Sequence, residues 1–239
     1  TFSNVIFNKD TLTTSVQLSS KERSGFEVKS MVAEAKLTPT EMTFDKLEIK
    51  TNNSIIRDYF SMKFEDFSDM SSFITKVKMQ ARFEDAEIDS EDIAFFAPAA
   101  KTWNKKIKVS GLARGTVDDI FGSEMSIQAG NNTYLNGDIS LTGLPDINKT
   151  FIDFKANSFP TTYSDAATFL PGIRKITTPR LQSIAYLDFN GSFTGFVKDF
   201  VTYGTIRTNL GTITSDLNMK LPEGKEPFYS GSIASQNFN

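Results

Sequence analysis

The sequence contains no cysteine and no histidine. The first absence removes disulfide frameworks and thiolate metal sites, and the second removes every catalytic scheme that relies on an imidazole. No charge sign dominates either: 29 acidic residues oppose 26 basic ones, a net charge of −3. That balance leaves no electrostatic footprint for a nucleic-acid backbone or an anionic membrane surface, so no nucleic-acid partner is expected. Long apolar runs are missing as well. The longest, residues 93–100, falls far short of the roughly 20 residues that span a bilayer. The sequence opens at Thr1 without a signal-peptide pattern, from which a mature form or an excised piece is expected.

What is present in excess is phenylalanine, with 22 residues in 239, roughly twice a common share. Charged residues still supply 23% of the chain, enough to set it apart from membrane-spanning sequences, and its apolar content argues against disorder. Much aromatic surface and few reactive groups favour binding over catalysis, so no enzyme activity, cofactor or metal is expected.

Period-two alternation dominates. Residues 75–83 read T-K-V-K-M-Q-A-R-F, placing Val77, Met79, Ala81 and Phe83 on one face and Lys76, Lys78, Gln80 and Arg82 on the other. The same pattern recurs in Phe60-Met62-Phe64, Ile107-Val109-Gly111, Ile139-Leu141 and Leu217-Met219-Leu221. Turn signals separate these runs: Asn52-Asn53, Gly130-Asn131-Asn132, Asn136-Gly137, Asn190-Gly191 and Pro222-Glu223-Gly224. The pattern predicts an all-β antiparallel meander. Two places depart from it. Ser90-Glu91-Asp92, running through Phe95-Phe96 to Pro98, reads as a short capped helix, and residues 163–173 read as another turn or two closed by Pro171-Gly172.

An internal repeat is the strongest long-range signal. Gly111, Gly115, Val117 and Asp119 are matched by Gly191, Gly195, Val197 and Asp199, then Ile127 by Ile206 and Ile139 by Leu217. Leu144-Pro145 corresponds to Leu221-Pro222, and Phe151 to Phe228. The shrinking offset fits turns that lose residues while strands keep register, as in units that stack and continue one sheet. The expected organisation is a β segment over 1–158 with its short helix near 90–98, a helical linker over 159–180, and a second β repeat over 181–239 continuing the same sheet.

Residues 130–154 (G-N-N-T-Y-L-N-G-D-I-S-L-T-G-L-P-D-I-N-K-T-F-I-D-F), residues 189–211 and the run D-I-A-F-F-A-P at 92–98 resemble the large AsmA-like proteins of the TamB type, in the form found in Bacteroidetes. The resemblance covers most of residues 44–238. It implies a curled antiparallel sheet, a β-taco or repeating β-groove, with one or two short helices. It also implies a periplasmic location, with an inner-membrane anchor in the full-length protein. The implied role is a segment of a lipid-transfer bridge that holds or conducts phospholipid acyl chains between inner and outer membrane, in outer-membrane biogenesis. The implied partners are phospholipid or fatty acyl chains and an outer-membrane barrel protein. The alternative is an envelope scaffold that binds outer-membrane clients by β-augmentation.

The expected lipid-facing stripe comes from the alternating faces: Phe60, Met62, Phe64, Val77, Met79, Phe83, Ile107, Val109, Ile139, Leu141, Phe193, Leu217 and Met219. Its competing reading is an ordinary sandwich core. Other signals have plainer explanations. The acidic run Glu84, Asp85, Glu87, Asp89, Glu91 and Asp92 lacks calcium-loop spacing and reads as a solvated turn with a helix start. Asn-x-Ser/Thr triplets at Asn52, Asn131, Asn148 and Asn190 read as turns rather than glycan acceptors. Gly111, Gly115, Gly191 and Gly195 read as strand bends rather than a phosphate loop, and Trp103 as a packing anchor rather than a sugar platform.

Overall fold

The computed structural model describes residues 1–95, 98–169, 171–175, 180–222, 226 and 228–237. It is all-β. Fourteen strands form one open antiparallel sheet in which each strand neighbours the next in the chain. They are β1 (Phe2–Asn8), β2 (Thr11–Lys21), β3 (Glu27–Leu37), β4 (Glu41–Thr51), β5 (Ile55–Lys63), β6 (Lys78–Asp89) and β7 (Lys106–Gly115), then β8 (Asp119–Ala129), β9 (Thr133–Thr142), β10 (Phe151–Thr161), β11 (Leu187–Phe196), β12 (Asp199–Thr208), β13 (Gly211–Lys220) and β14 (Phe228–Gln236). Three short helices, α1 (Phe73–Lys76), α2 (Ser90–Ile93) and α3 (Tyr163–Phe169), occupy connections between strands.

Two compact units divide the chain, Thr1–Ser123 and Glu124–Asn239, and the division falls within β8. The expected boundary at 159–180 lies elsewhere. Residues 159–161 complete β10, and α3 with the 3₁₀ turn Pro171–Lys175 is an insertion between the paired strands β10 and β11 of the second unit. Leu170 and residues 176–179 of that expected linker are outside the described residues, as are Phe96, Glu223, Gly224 and Phe238.

The repeat has a clear structural meaning. β7 to β10 correspond to β11 to β14, and Asp119 and Asp199 open the second strand of each set. Gly115 and Gly195 precede them at φ +125° and +135°. A Cβ at Gly115 would lie 2.0 Å from the Asp119 carbonyl oxygen, and one at Gly195 would lie 2.4 Å from that of Asp199. Only glycine permits so close a hairpin in this conformation.

Within the first unit the strands bend at matching heights. Register shifts at Ser3/Ile6, Phe44/Leu47 and Phe83/Ala86 each contain a non-glycine residue at positive φ: Asn4 (54°), Lys46 (51°) and Asp85 (46°). Each is the extra residue of a bulge, which bends the strand and raises its twist. In the second unit the equivalent device is a row of small residues, with Gly137 opposite Ala156, Ala156 opposite Gly191, Gly191 opposite Gly204 and Gly204 opposite Ser215. Asn136-Gly137 and Asn190-Gly191 therefore lie inside β9 and β11 and are not the hairpin turns their dipeptides predict. For the same reason the Asn190 triplet is mid-strand.

A second correction concerns residues 75–77, which the alternation assigns to a strand. Thr75 and Lys76 end α1 and Val77 is its C-cap, whose N–H donates to the Phe73 carbonyl. Alternating polarity over three residues does not distinguish a strand end from a single helical turn. The helix at 90 is present, but its cap is Asp89, whose carboxylate accepts from the Glu91 N–H at 2.9 Å, and Ser90 is the first helical residue.

Gly115→Ala and Gly195→Ala are each expected to destabilise the protein by about 1–3 kcal/mol, because a Cβ meets backbone at positive φ. Gly172→Ala, where nothing lies within 4 Å, should stay within about 0.5 kcal/mol of the parent. Urea unfolding of the three variants measures the contrast.

Candidate functional site

Within each unit, strand alternation and cross-strand register place the expected stripe residues of neighbouring strands on a shared face. In the first unit Met42 is opposite Met62 and Met62 opposite Met79, while Phe44 is opposite Phe60 and Phe60 opposite Ala81. The Phe44 and Phe60 rings stack with centroids 6.5 Å apart. Phe83 is opposite Gly111, Ala86 opposite Val109 and Ile88 opposite Ile107. In the second unit Ile139 is opposite Phe154 and Phe154 opposite Phe193, while Leu141 is opposite Ile152. Thr202 joins Leu217, and Phe200 joins Met219, across β12 and β13.

Two members of the expected stripe do not belong to the open face. Val77 has no exposed surface and Phe64 is 7% exposed. Phe64 packs edge-on against Phe67 at 6.3 Å, and the turn at Phe67–Ser72 with α1 closes over this strand end. These side chains are packed core. Val109 is also buried, at 9%. The remaining ten, Phe60, Met62, Met79, Phe83, Ile107, Ile139, Leu141, Phe193, Leu217 and Met219, are half-buried strand residues.

The face is not sealed by protein. Among the described residues the only buried phenylalanines are Phe64 and Phe154, and half of the buried apolar residues are alanines. A sandwich core of this size would bury its largest side chains first. Among the described residues there is a single sheet, and the helices are seven residues or shorter.

An open apolar depression lies in the second unit. A cavity of about 290 Å³ is lined by Phe154, Phe159, Leu187, Phe189, Phe193 and Ile206, with Thr202. Phe154 and Phe159 meet edge-on at 6.3 Å, and Phe193 lies 4.7 Å from Phe200. Glycine makes the floor possible. A Cβ at Gly191 or Gly204 would come within 2.9 or 2.8 Å of the Phe189 ring, which therefore lies directly over this backbone pair. Of these lining residues only Phe193 is in the expected stripe. Phe159 was hidden because a register shift between Ala156 and Phe159 inserts one residue, so strict alternation places it on the wrong side. The signal that could have found it is the concentration of Phe around the two glycines.

The opposite face is polar. In the first unit Lys46–Glu34 (2.6 Å), Arg57–Glu48 (3.2 Å), Lys63–Glu41 (3.4 Å) and Arg82–Asp58 bridge adjacent strands. Such exposed pairs add little stability. They do fix which side faces water, since a one-residue slip would turn them inward.

Two buried carboxylates hold the helical insertions. Asp92 of α2 accepts from the Thr51 and Ser54 hydroxyls in the turn between β4 and β5. Asp165 of α3 accepts from the Asn132 N–H at 2.8 Å and the Thr133 hydroxyl at 3.4 Å, beside the turn between β8 and β9. Asp92 is thus not the solvated member of an acidic run that its sequence context predicts. Among the described residues no cluster of three acidic groups is arranged to hold a metal ion, and no helix is long and apolar enough to cross a membrane.

Asp69, 4% exposed, is the third such group. It accepts from Lys76 Nζ at 2.8 Å and from the Glu65 N–H at 2.9 Å, and the Lys76 bond foremost holds its carboxyl below the usual carboxylate range. A depressed folded-state value means that the stabilisation is complete above the ordinary carboxylate pKa and is lost as pH falls through the depressed one. The thermal midpoint should therefore hold from pH 7 to about pH 5 and fall below about pH 4. Asp69→Asn should lower the midpoint at pH 7 and shrink its acid dependence, as thermal melts across that range would show.

Comparison with family models, curated proteins and solved structures returns no match to this chain.

Proposed function

We propose that this protein holds hydrocarbon chains along the apolar face of its sheet, as a segment of an envelope lipid-transfer protein of the AsmA-like, TamB type. The supporting observation is that, among the described residues, a phenylalanine-rich strand face stays half-exposed and the chain forms a single sheet. Leaving that surface to water is unfavourable at about 25 cal/mol per Å². A guest that covers it recovers this energy.

Acyl chains meet the requirement with the least chemistry. Each buried methylene contributes about 0.8 kcal/mol, so a dozen give about 10 kcal/mol before the losses of association. The contact is non-directional and needs no charged pocket, because the head group remains in water at the rim. Thioethers at Met62 and Met79 suit an irregular or moving partner. In this reading the location is periplasmic and the guest is a phospholipid or fatty acid. The lining is the ten open stripe residues together with Phe159, Leu187, Phe189 and Ile206.

Lipid extraction and native mass spectrometry of the purified protein should reveal bound lipid. Met79→Glu, Leu141→Glu and Phe193→Glu should each reduce uptake of a fluorescent fatty acid by about tenfold or more, since each places a charge against the hydrocarbon. Their circular dichroism should match the parent. Absence of any bound lipid, together with absence of uptake by the parent protein, refutes the proposal.

A further inference from the structure

The polar side of the first unit carries one depression in which positive charge is left over. It is an open cavity of about 500 Å³ at the ends of β5, β6 and β7, and its lining includes Ser61, Lys63, Lys78, Arg114, Asp119 and Phe121. Of the apolar stripe only Met79 borders it. Lys63 is directly opposite Lys78, and Arg114 is opposite Gln80, one step along the same side. Like charges placed directly opposite one another in an antiparallel pair are destabilising. Opposed charges across β2 to β7 otherwise join an acid to a base, as at Lys21 and Glu27, Glu48 and Arg57, Glu87 and Lys108, and Asp89 and Lys106. Glu34 opposite Asp45 is the exception, and there Lys46 lies 2.6 Å from Glu34. The Lys63 and Lys78 pair has no such remedy. Lys63 is 3.4 Å from Glu41, while Lys78 and Arg114 have no ion-pair partner among the described residues.

The donors around this charge are arranged for an acceptor. The Arg114 guanidinium lies over the Phe121 ring, 5.3 Å from its centroid, which orients its plane and leaves N–H groups at its edge. Ser61 is 1% exposed beneath the longer side chains, and its hydroxyl makes no hydrogen bond among the described residues. Asp119 is the single carboxylate of the lining. An adjoining cavity of about 440 Å³ shares Lys63 and Lys78, but Glu65 and Asp69 line it and Lys76 is held 2.8 Å from Asp69, so an anion is favoured only on the Ser61 side. We propose that the Ser61 depression binds a phosphate monoester group, with Lys78, Arg114 and the Ser61 hydroxyl donating to its oxygens and Lys63 adding charge. A monoester carries about −1.5 to −2 at pH 7, which matches the two cations without partners, whereas a carboxylate supplies half of that. A soluble phosphate ester and the head group of phosphatidic acid offer the same chemistry. The site is on the opposite side from the hydrocarbon-binding face, and neither reading rests on the other.

The test uses the full 239-residue chain in two arms. Calorimetric titration with glycerol 3-phosphate should show saturable one-to-one binding that acetate does not displace, or phosphatidylcholine vesicles should float the protein only when they contain phosphatidic acid. The first result assigns a soluble ester and the second a lipid head group. In whichever arm binds, Lys78→Gln/Arg114→Gln should weaken affinity by about tenfold or more and Ser61→Ala by about fivefold. Lys106→Gln/Lys108→Gln removes the same charge from β7 and should leave affinity unchanged. The bound ester should also protect Lys63 and Lys78, but not Lys106, from acetylation mapped by mass spectrometry, and this decides alone should the double variant misfold. Absence of binding in both arms, displacement by acetate, or undiminished affinity in Lys78→Gln/Arg114→Gln overturns the proposal. So does an equal loss in Lys106→Gln/Lys108→Gln, because the attraction is then diffuse.

Discussion

A single layer of strands with one apolar side must keep that side consistent over strands of ten residues or more, and the rest of the structure follows from this constraint. A bulge adds one residue and so reverses the parity of everything beyond it. In β6 the extra residue at Asp85 keeps Ala86 and Ile88 on the side of Met79, Ala81 and Phe83, although the count from Phe83 to Ala86 is odd. In β10 the shift after Ala156 returns Phe159 to the side of Phe154. The bends thus let each of these strands curve while keeping its apolar residues on one side.

Small residues accompany the bends for a steric reason. Paired backbones approach closely along the row Gly137, Ala156, Gly191, Gly204 and Ser215, which leaves almost no side-chain volume there. Aromatic rings from adjacent positions then lie over the glycines. The volume that the glycines release becomes the cavity among Phe154, Phe159, Phe189 and Phe193. Backbone conformation and binding surface are in this sense one feature.

The strand ends are managed by polar chemistry instead. Asp69, Asp92 and Asp165 are each buried, and each ties a short helical segment by accepting hydrogen bonds from backbone N–H, hydroxyl or ammonium groups. Helices of four to seven residues have little intrinsic stability in water. Without such ties the insertions would have no fixed position over the ends of the strands.

Alternation, composition and repeat determined the all-β class, the meander order and the faces of Phe60, Met62, Met79, Ile139 and Leu141, because strand periodicity is a local property of the chain. The correspondence of residues 111–151 with 191–228 also marked a recurring unit of several strands. Tertiary structure alone decided where that periodicity is interrupted. Whether Asn-Gly is a turn or an in-strand bend, whether Val77 continues a strand face or is a buried helix cap, and whether Asp92 meets water or the Thr51 and Ser54 hydroxyls all depend on the surrounding structure. Thr51 and Ser54 lie 41 and 38 residues from Asp92 in the chain, beyond the reach of any local pattern.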